Sequence, residues 1–266
     1  MSILSQVKTG KQIGPPRAVI YSEPKAGKTT LIASIPGVVV IPLEEGQGTL
    51  DYARTPQPTD FETLMATLQE LADADHEFKA VGIDGLTGVE ELIWSKVCTE
   101  SMDGDWEKFH AYGRGARQAS AHWVDFCKAL DAVRRKGISI WCAAHSKLEN
   151  VEDVTAGSYA RISPAIDKHA LGVITKWSDI IGHIEIERKT KEVSEKNALK
   201  KVKTKFTTGT RNLIVQDTGS HMAGNRYGME SPIELPEEDP YGALRAALRA
   251  AVAPKAAEAT EEEEAA

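Results

Sequence analysis

The chain predicts an α/β fold with a mostly parallel central sheet and antiparallel strands added on its C-terminal side. Three observations carry that expectation. Short apolar runs recur between segments of helical spacing, a loop bearing glycine and lysine follows the first run, and the third run stops at an aspartate. Apolar runs without alternation are the mark of strands covered on both faces, and strand–helix alternation implies right-handed βαβ units.

In chain order, Arg17-Ala18-Val19-Ile20-Tyr21 is the first strand, Ser22 to Gly27 is loop, and Lys28 to Ser34 starts a helix that ends before Pro36. Val38 to Leu43 is a second buried strand. Helical spacing appears at Phe61, Leu64, Leu68 and Leu71, and Phe78 to Ile83 is a third strand stopping at Asp84. A helix from about Val89 to Val97 breaks near Asp103-Gly104 and resumes from about Ala116 to Arg135, before a fourth strand, Ile138 to Ala144. After Asp179 the rhythm changes: Ile180–Glu187 and Lys201–Phe206 alternate apolar and polar residues, and Arg211–Val215 is a further short run. These read as antiparallel strands with a basic hairpin between them. The expected organisation is a core over 1–240, a helix over 241–252 and a disordered acidic tail over 253–266.

Composition narrows the function classes. The 266 residues are 41% hydrophobic and 27% charged, as in an ordinary globular chain. The longest apolar run, Ile35 to Leu43, is far short of the roughly 20 residues of a membrane span, and the first residues lack the apolar core of a signal peptide. Cys98, Cys127 and Cys142 form no CxxC pair, which argues against a disulfide framework or a zinc site and makes a reducing cytoplasm the expected compartment. No membrane partner is expected. The net charge of −7 is uneven: the tail sets Lys255 against five glutamates, whereas Arg188–Lys205 carries a local +6. An acidic total therefore does not exclude a polyanion partner.

The strongest motif is Ser22-Glu23-Pro24-Lys25-Ala26-Gly27-Lys28-Thr29, followed by Thr30. It fits the phosphate-binding pattern GxxxxGK(S/T) at every position but the first, where serine replaces glycine. In such a loop backbone N–H groups surround the β-phosphate, the lysine reaches the β and γ oxygens, and the threonine hydroxyl ligates Mg²⁺. Asp84, ending an apolar strand, suits a carboxylate that holds Mg²⁺ through water; an N-cap is its plainer role. Glu44-Glu45 after strand two offers a carboxylate to activate water, or simply a solvated pair. His145, at the end of strand four, would face the γ-phosphate, or be a half-buried structural imidazole. ATP and Mg²⁺ are the expected ligands.

With these sites in order, the chain resembles the RecA-type ATPases, and more narrowly the short phage recombination ATPases that act in single-strand annealing. The resemblance spans about Arg17 to Leu235. It implies that Glu44, placed shortly before Leu50-Asp51, activates water, with Glu45 one residue off, and that His145 stands where the family usually has glutamine. It also implies a cation supplied to the neighbouring subunit's site, for which Arg226 in Ala223–Pro232 is the match; a turn arginine is the alternative. DNA contacts are implied for the loops after strands three and four, with Lys108, Tyr112, Arg114 and Arg117 in one and Lys147, Arg161 and Lys168 in the other. The basic hairpin is a third candidate, and any of these could be a solvated face.

The implied activity is ATP hydrolysis stimulated by DNA, in a recombinase that promotes annealing or pairing of single strands. Its implied partners are single-stranded DNA, further copies of the chain with ATP at subunit interfaces, and a single-strand-binding protein, in a cytoplasm that is a bacterial host's if the gene is a phage's. The acidic tail would mask basic surface, recruit a partner or only solubilise. The rivals are an AAA-type motor or helicase loader, which needs a helical lid, a nucleotide kinase, and a nucleotide-gated DNA-binding module without turnover.

Overall fold

The computed structural model describes residue 7 and residues 13–44, 50–153, 157–193 and 202–253, with backbone alone at 189–193 and 202–208. Glu45, the tip of the basic hairpin (194–201) and tail residues 254–266 lie outside the described residues.

One sheet organises the chain, with the strand order β10-β8-β7-β1-β5-β4-β2-β3. Strand β1 (Arg17–Ser22) lies between β5 (Ser139–Asp153) and β7 (Ile180–Val193), both parallel to it. Strand β4 (Ala80–Asp84) is next after β5, then β2 (Val38–Pro42) and the two-residue β3 (Ala53–Arg54), all parallel. Strand β8 (Val202–Ile214) runs antiparallel to β7, and β10 (Ile233–Leu235) antiparallel to β8; β9 (Gly224–Asn225) pairs with the start of β7.

Alternation along each strand explains the apolar runs. Ala18 and Ile20 of β1 pack on one face with Leu31 and Ile32 of α1 (Lys28–Ala33) and Leu244 of α7 (Pro240–Val252). Val19 and Tyr21 face the other side, against α2 (Phe61–Asp73), α3 (Leu86–Ser101), α5 (Arg114–Arg134) and α6 (Lys168–Trp177). Both faces are covered, so neither can be polar. Aspartates cap α2, α6 and α7: Asp60 accepts from Thr63 N, Asp167 from His169 N and Asp239 from Gly242 N.

The structure differs from the sequence-based expectation in three places. The first residues of β7 join the parallel sheet, Ala18 to Ile180 through Tyr21 to His183, and only the β7–β8 pairing is antiparallel. Residues 146–168 are not an open loop: β5 continues to Asp153 and turns back as β6 (Gly157–Pro164), paired from Ser146–Pro164 to Asp153–Gly157. Alternation along Lys147-Leu148-Glu149-Asn150-Val151-Glu152 suits such a two-stranded arm. Residues 106–117 are likewise ordered, as α4 (Trp106–His110), a tight turn at Ala111–Gly113 and the start of α5. Phe109 is buried there beside Gly115 and ringed by Trp94, Trp106 and His110.

Candidate nucleotide-binding and active site

Parallel strands end at one edge, and the sheet order decides which side chains meet there. Ser22 of β1 is in register with His145 of β5, Ala143 of β5 with Asp84 of β4, and Asp84 with Pro42 of β2. The phosphate loop, His145, Asp84 and the Leu43-Glu44 turn therefore collect at the carboxyl edge of four adjacent strands. In open α/β sheets this is where ligands bind.

The loop is shaped by its backbone. Gly27 has φ 104° and ψ 17°, and Lys25 has φ 64°, so both occupy conformations that L side chains seldom adopt. This turn lets the chain fold over its own strand and start α1 at Lys28. The Lys28 side chain is then nearly buried, and its ammonium donates to Ser22 O at 3.3 Å, Ser22 Oγ at 3.2 Å and Glu23 O at 3.2 Å. All three acceptors are neutral. Burial pulls the Lys28 pKa below its ordinary value, opposed by the charges of Glu44 and Asp84. Ser22, the departure from the glycine pattern, is fully buried, and its hydroxyl serves as one of the lysine's acceptors and donates to Glu23 O at 2.9 Å.

Thr29 Oγ1 donates to Asp84, 3.1 Å from Oδ1 and 3.2 Å from Oδ2. Burial raises the Asp84 pKa; the Thr29 hydrogen bond opposes this and the Glu44 charge adds to it. A buried carboxylate and a hydroxyl in direct contact are the hard oxygen donors that Mg²⁺ prefers, so the residues fit that ion. Tyr52, which no sequence motif marks, adds a buried hydroxyl without a partner among the described residues, and its pKa is raised by burial and by the Asp84 charge.

Glu44 reaches across the end of β4 to meet His145, with Nε2 and Oε2 3.0 Å apart. Gly85 makes room for it. A Cβ at Gly85 would lie 2.7 Å from Glu44 Cγ and Oε1, and Gly85 has φ 120°. With Glu44 a carboxylate, His145 Nε2–H is the donor, leaving Nδ1 buried without a partner among the described residues.

Arg226 is not among this group. Its guanidinium donates to Asp179 Oδ1 at 3.0 Å and to Lys176 O at 2.6 Å. Asp179 precedes β7 and binds Arg17, the first residue of β1, so Arg226 lies at the amino edge, a full strand away from Ser22. Of the residues considered for DNA, Lys108 is paired with Asp103 and Asp105, Arg161 with Glu149, and Lys147 donates to Ile166 O. Lys168 is exposed at the start of α6. Arg114 and Arg117 are exposed without an ion pair among the described residues, and Tyr112 is 100% exposed with φ 55°.

The sheet order and the loop, lysine, threonine and aspartate together define a P-loop ATPase-type protein. The sequence model of the AAA_24 family, described as an AAA domain, matches residues 14–227, and the chain belongs to that family. A search of curated proteins found no match. Membership implies nucleotide use and usually Mg²⁺. Among the described residues, no helix is long and apolar enough to cross a membrane. Beyond β8 the described residues form two short strands and one helix, not the helical lid that an AAA-type motor was expected to need.

Proposed function

We propose that the protein hydrolyses ATP and couples that cycle to single-stranded DNA, acting as an oligomeric recombinase in strand annealing or pairing. The observation that carries the ATPase part is the Glu44–His145 contact beside the Lys28–Thr29–Asp84 cluster. The loop N–H groups and Lys28 would hold the phosphate chain, and Thr29 and Asp84 the Mg²⁺. When bound, Mg²⁺ supplies positive charge to the β and γ oxygens. Glu44 accepts a proton from the attacking water as the new oxygen–phosphorus bond forms and the bond to the bridging oxygen breaks, releasing ADP and phosphate. His145 holds the carboxylate in place until a γ-phosphate competes for its N–H.

Two projections on the same side support the DNA part. The β5–β6 arm leaves the carboxyl edge directly after His145. Helix α5 spans 21 residues and ends just before β5 begins, so its start, with Tyr112, Arg114 and Arg117, lies toward the carboxyl edge as well. A free ring just ahead of two exposed arginines suits stacking and phosphate contact without base preference. Leu148, exposed near the root of the arm where it is paired with Ile162, adds an apolar side chain for the same purpose.

Arg226 remains the cation for a neighbouring subunit in this reading. Asp179 keeps Arg17 when Arg226 leaves, so release costs one of its ion pairs and not all. The test is fluorescence anisotropy of a labelled single strand with ADP or a non-hydrolysable ATP analogue. Tighter binding with the ATP analogue, weakened about tenfold or more in Tyr112→Ala, is the expected result. Affinity indifferent to both nucleotide and Tyr112 would remove the DNA role and leave a P-loop ATPase acting on another partner.

A further inference from the structure

We infer that Arg211 is a phosphate-binding residue of this site, supplied by the same chain from the side of the loop opposite Glu44 and His145. Its contact would be with the α/β portion of a nucleoside di- or triphosphate. The inference rests on the nucleotide-binding reading above.

Three observations carry it. First, a Cβ at Gly27 would lie 3.4 Å from Arg211 Cδ and Nε and 3.8 Å from Cζ, so the guanidinium rests against the loop at the residue before Lys28. Second, Arg211 is half-buried and its side chain has no hydrogen bond or ion pair among the described residues. Its neighbour on the same two-stranded arm, Arg188, is paired with Glu23. A partly desolvated cation left without a counterion is unfavourable unless an anion arrives, and the adjacent loop is built to bring one. Third, the position is fixed by the sheet. Arg211 is opposite Ile186 in the β7–β8 pairing, three residues beyond His183, which is opposite Tyr21 at the end of β1. The pair thus overhangs the edge at which the phosphate loop begins. Ile186 packs with the α1 face of the sheet, and opposed residues share a face, so Arg211 points to the side where α1 starts.

Strand order separates Arg211 from the residues expected around the γ-phosphate. Strands β5, β4 and β2, which bring His145, Asp84 and Glu44, lie on one side of β1; β7 and β8 lie on the other. A cation there serves binding of the diphosphate moiety and does not distinguish ATP from ADP. Glu44 and His145 do the reverse.

Equilibrium titration of a fluorescent ADP analogue, with inorganic tripolyphosphate as competitor, tests this without turnover. Arg211→Ala should weaken the ADP analogue and tripolyphosphate by a similar factor, about tenfold or more. It should also flatten the salt dependence, while Arg211→Lys recovers part of the affinity. Unchanged ADP affinity in Arg211→Ala, or loss of ADP binding with tripolyphosphate unaffected, would overturn the assignment. Lys28→Ala is the companion measurement. If it abolishes binding while Arg211→Ala leaves binding intact, only the Arg211 inference fails; if Lys28→Ala also binds normally, the nucleotide reading itself fails. Thermal unfolding of each variant separates lost contact from lost fold, and a collapse of Arg211→Ala with full nucleotide affinity in Arg211→Lys and Arg211→Met would make the residue structural.

Discussion

The two edges of the parallel sheet treat charge in opposite ways. At the amino edge, Asp179 accepts from Arg17 Nε at 3.0 Å, Arg17 Nη2 at 2.8 Å and Arg226 Nη1 at 3.0 Å, and Arg17 also lies over the Trp177 ring. At the carboxyl edge, Lys28 has only neutral oxygens, Asp84 only a hydroxyl, and Arg211 no polar partner among the described residues. The same polypeptide closes its charges into a network at one end; at the other it pairs Glu44 with His145 and Glu23 with Arg188 but leaves Lys28, Asp84 and Arg211 without an ion pair among the described residues. Charges satisfied by each other hold strands together; charges held by weak neutral partners wait for a ligand.

The contrast can be broken most severely at Lys28. Lys28→Ala should take ATP affinity beyond detection in a binding titration while leaving the melting temperature unchanged or slightly higher, because a buried ammonium held only by neutral acceptors is removed. Glu44→Gln should lower turnover about 10²- to 10⁴-fold with nucleotide affinity retained, read from single-turnover phosphate release. At the other edge the consequences should appear in stability and not in nucleotide binding. Asp179→Ala leaves Arg17 only its longer contact with Asp131 and should cost about 3 kcal/mol in urea unfolding. Burial acts to raise the Asp179 pKa, but the hydrogen bonds and charge of Arg17 outweigh it and hold the carboxyl below its ordinary 3.8. A lowered folded value means that this stability is complete at neutral pH and is lost as pH falls through it.

Glu90 of α3 gives the smallest and most pH-selective effect. It is buried, accepts from Asp167 N at 2.7 Å, and burial pushes its pKa from 4.5 up to about 7. A raised carboxylate pKa stabilises the fold fully below the unfolded value and progressively less as pH rises from about 4.5 to 7. Glu90→Gln keeps the acceptor without the charge. It should add on the order of 2–3 kcal/mol at pH 8 and nothing at pH 4, measured by urea unfolding at both.

Legibility divided along the same line. The phosphate loop, β1, β2, β4 and the core of β5 were readable because buried parallel strands are apolar throughout and because Gly27-Lys28-Thr29 tolerates few substitutes. Helix α6 was not: Gly172, Val173 and Thr175 obscure the spacing of its buried residues Ala170, Leu171, Ile174 and Trp177. The parallel start of β7 escaped because alternation reports one exposed face, not the direction of the neighbour. In the sequence Glu44 and His145 are separate candidates 101 residues apart, and sheet order made them a pair. Arg211 carried no signal at all. Its closeness to Gly27 is created by a β7–β8 overhang that only the register reveals.

The most direct test of an ATPase cycle coupled to single strands is phosphate release from ATP by the wild-type protein and Glu44→Gln. It would be measured with no DNA, single-stranded DNA and duplex, at low and high salt. The expected result is turnover that Glu44→Gln abolishes and that single strands raise more than duplex, with the stimulation fading as salt increases. No turnover above that of Glu44→Gln in any condition would contradict the proposed cycle, and a rate indifferent to every nucleic acid would confine it to the ATPase site alone.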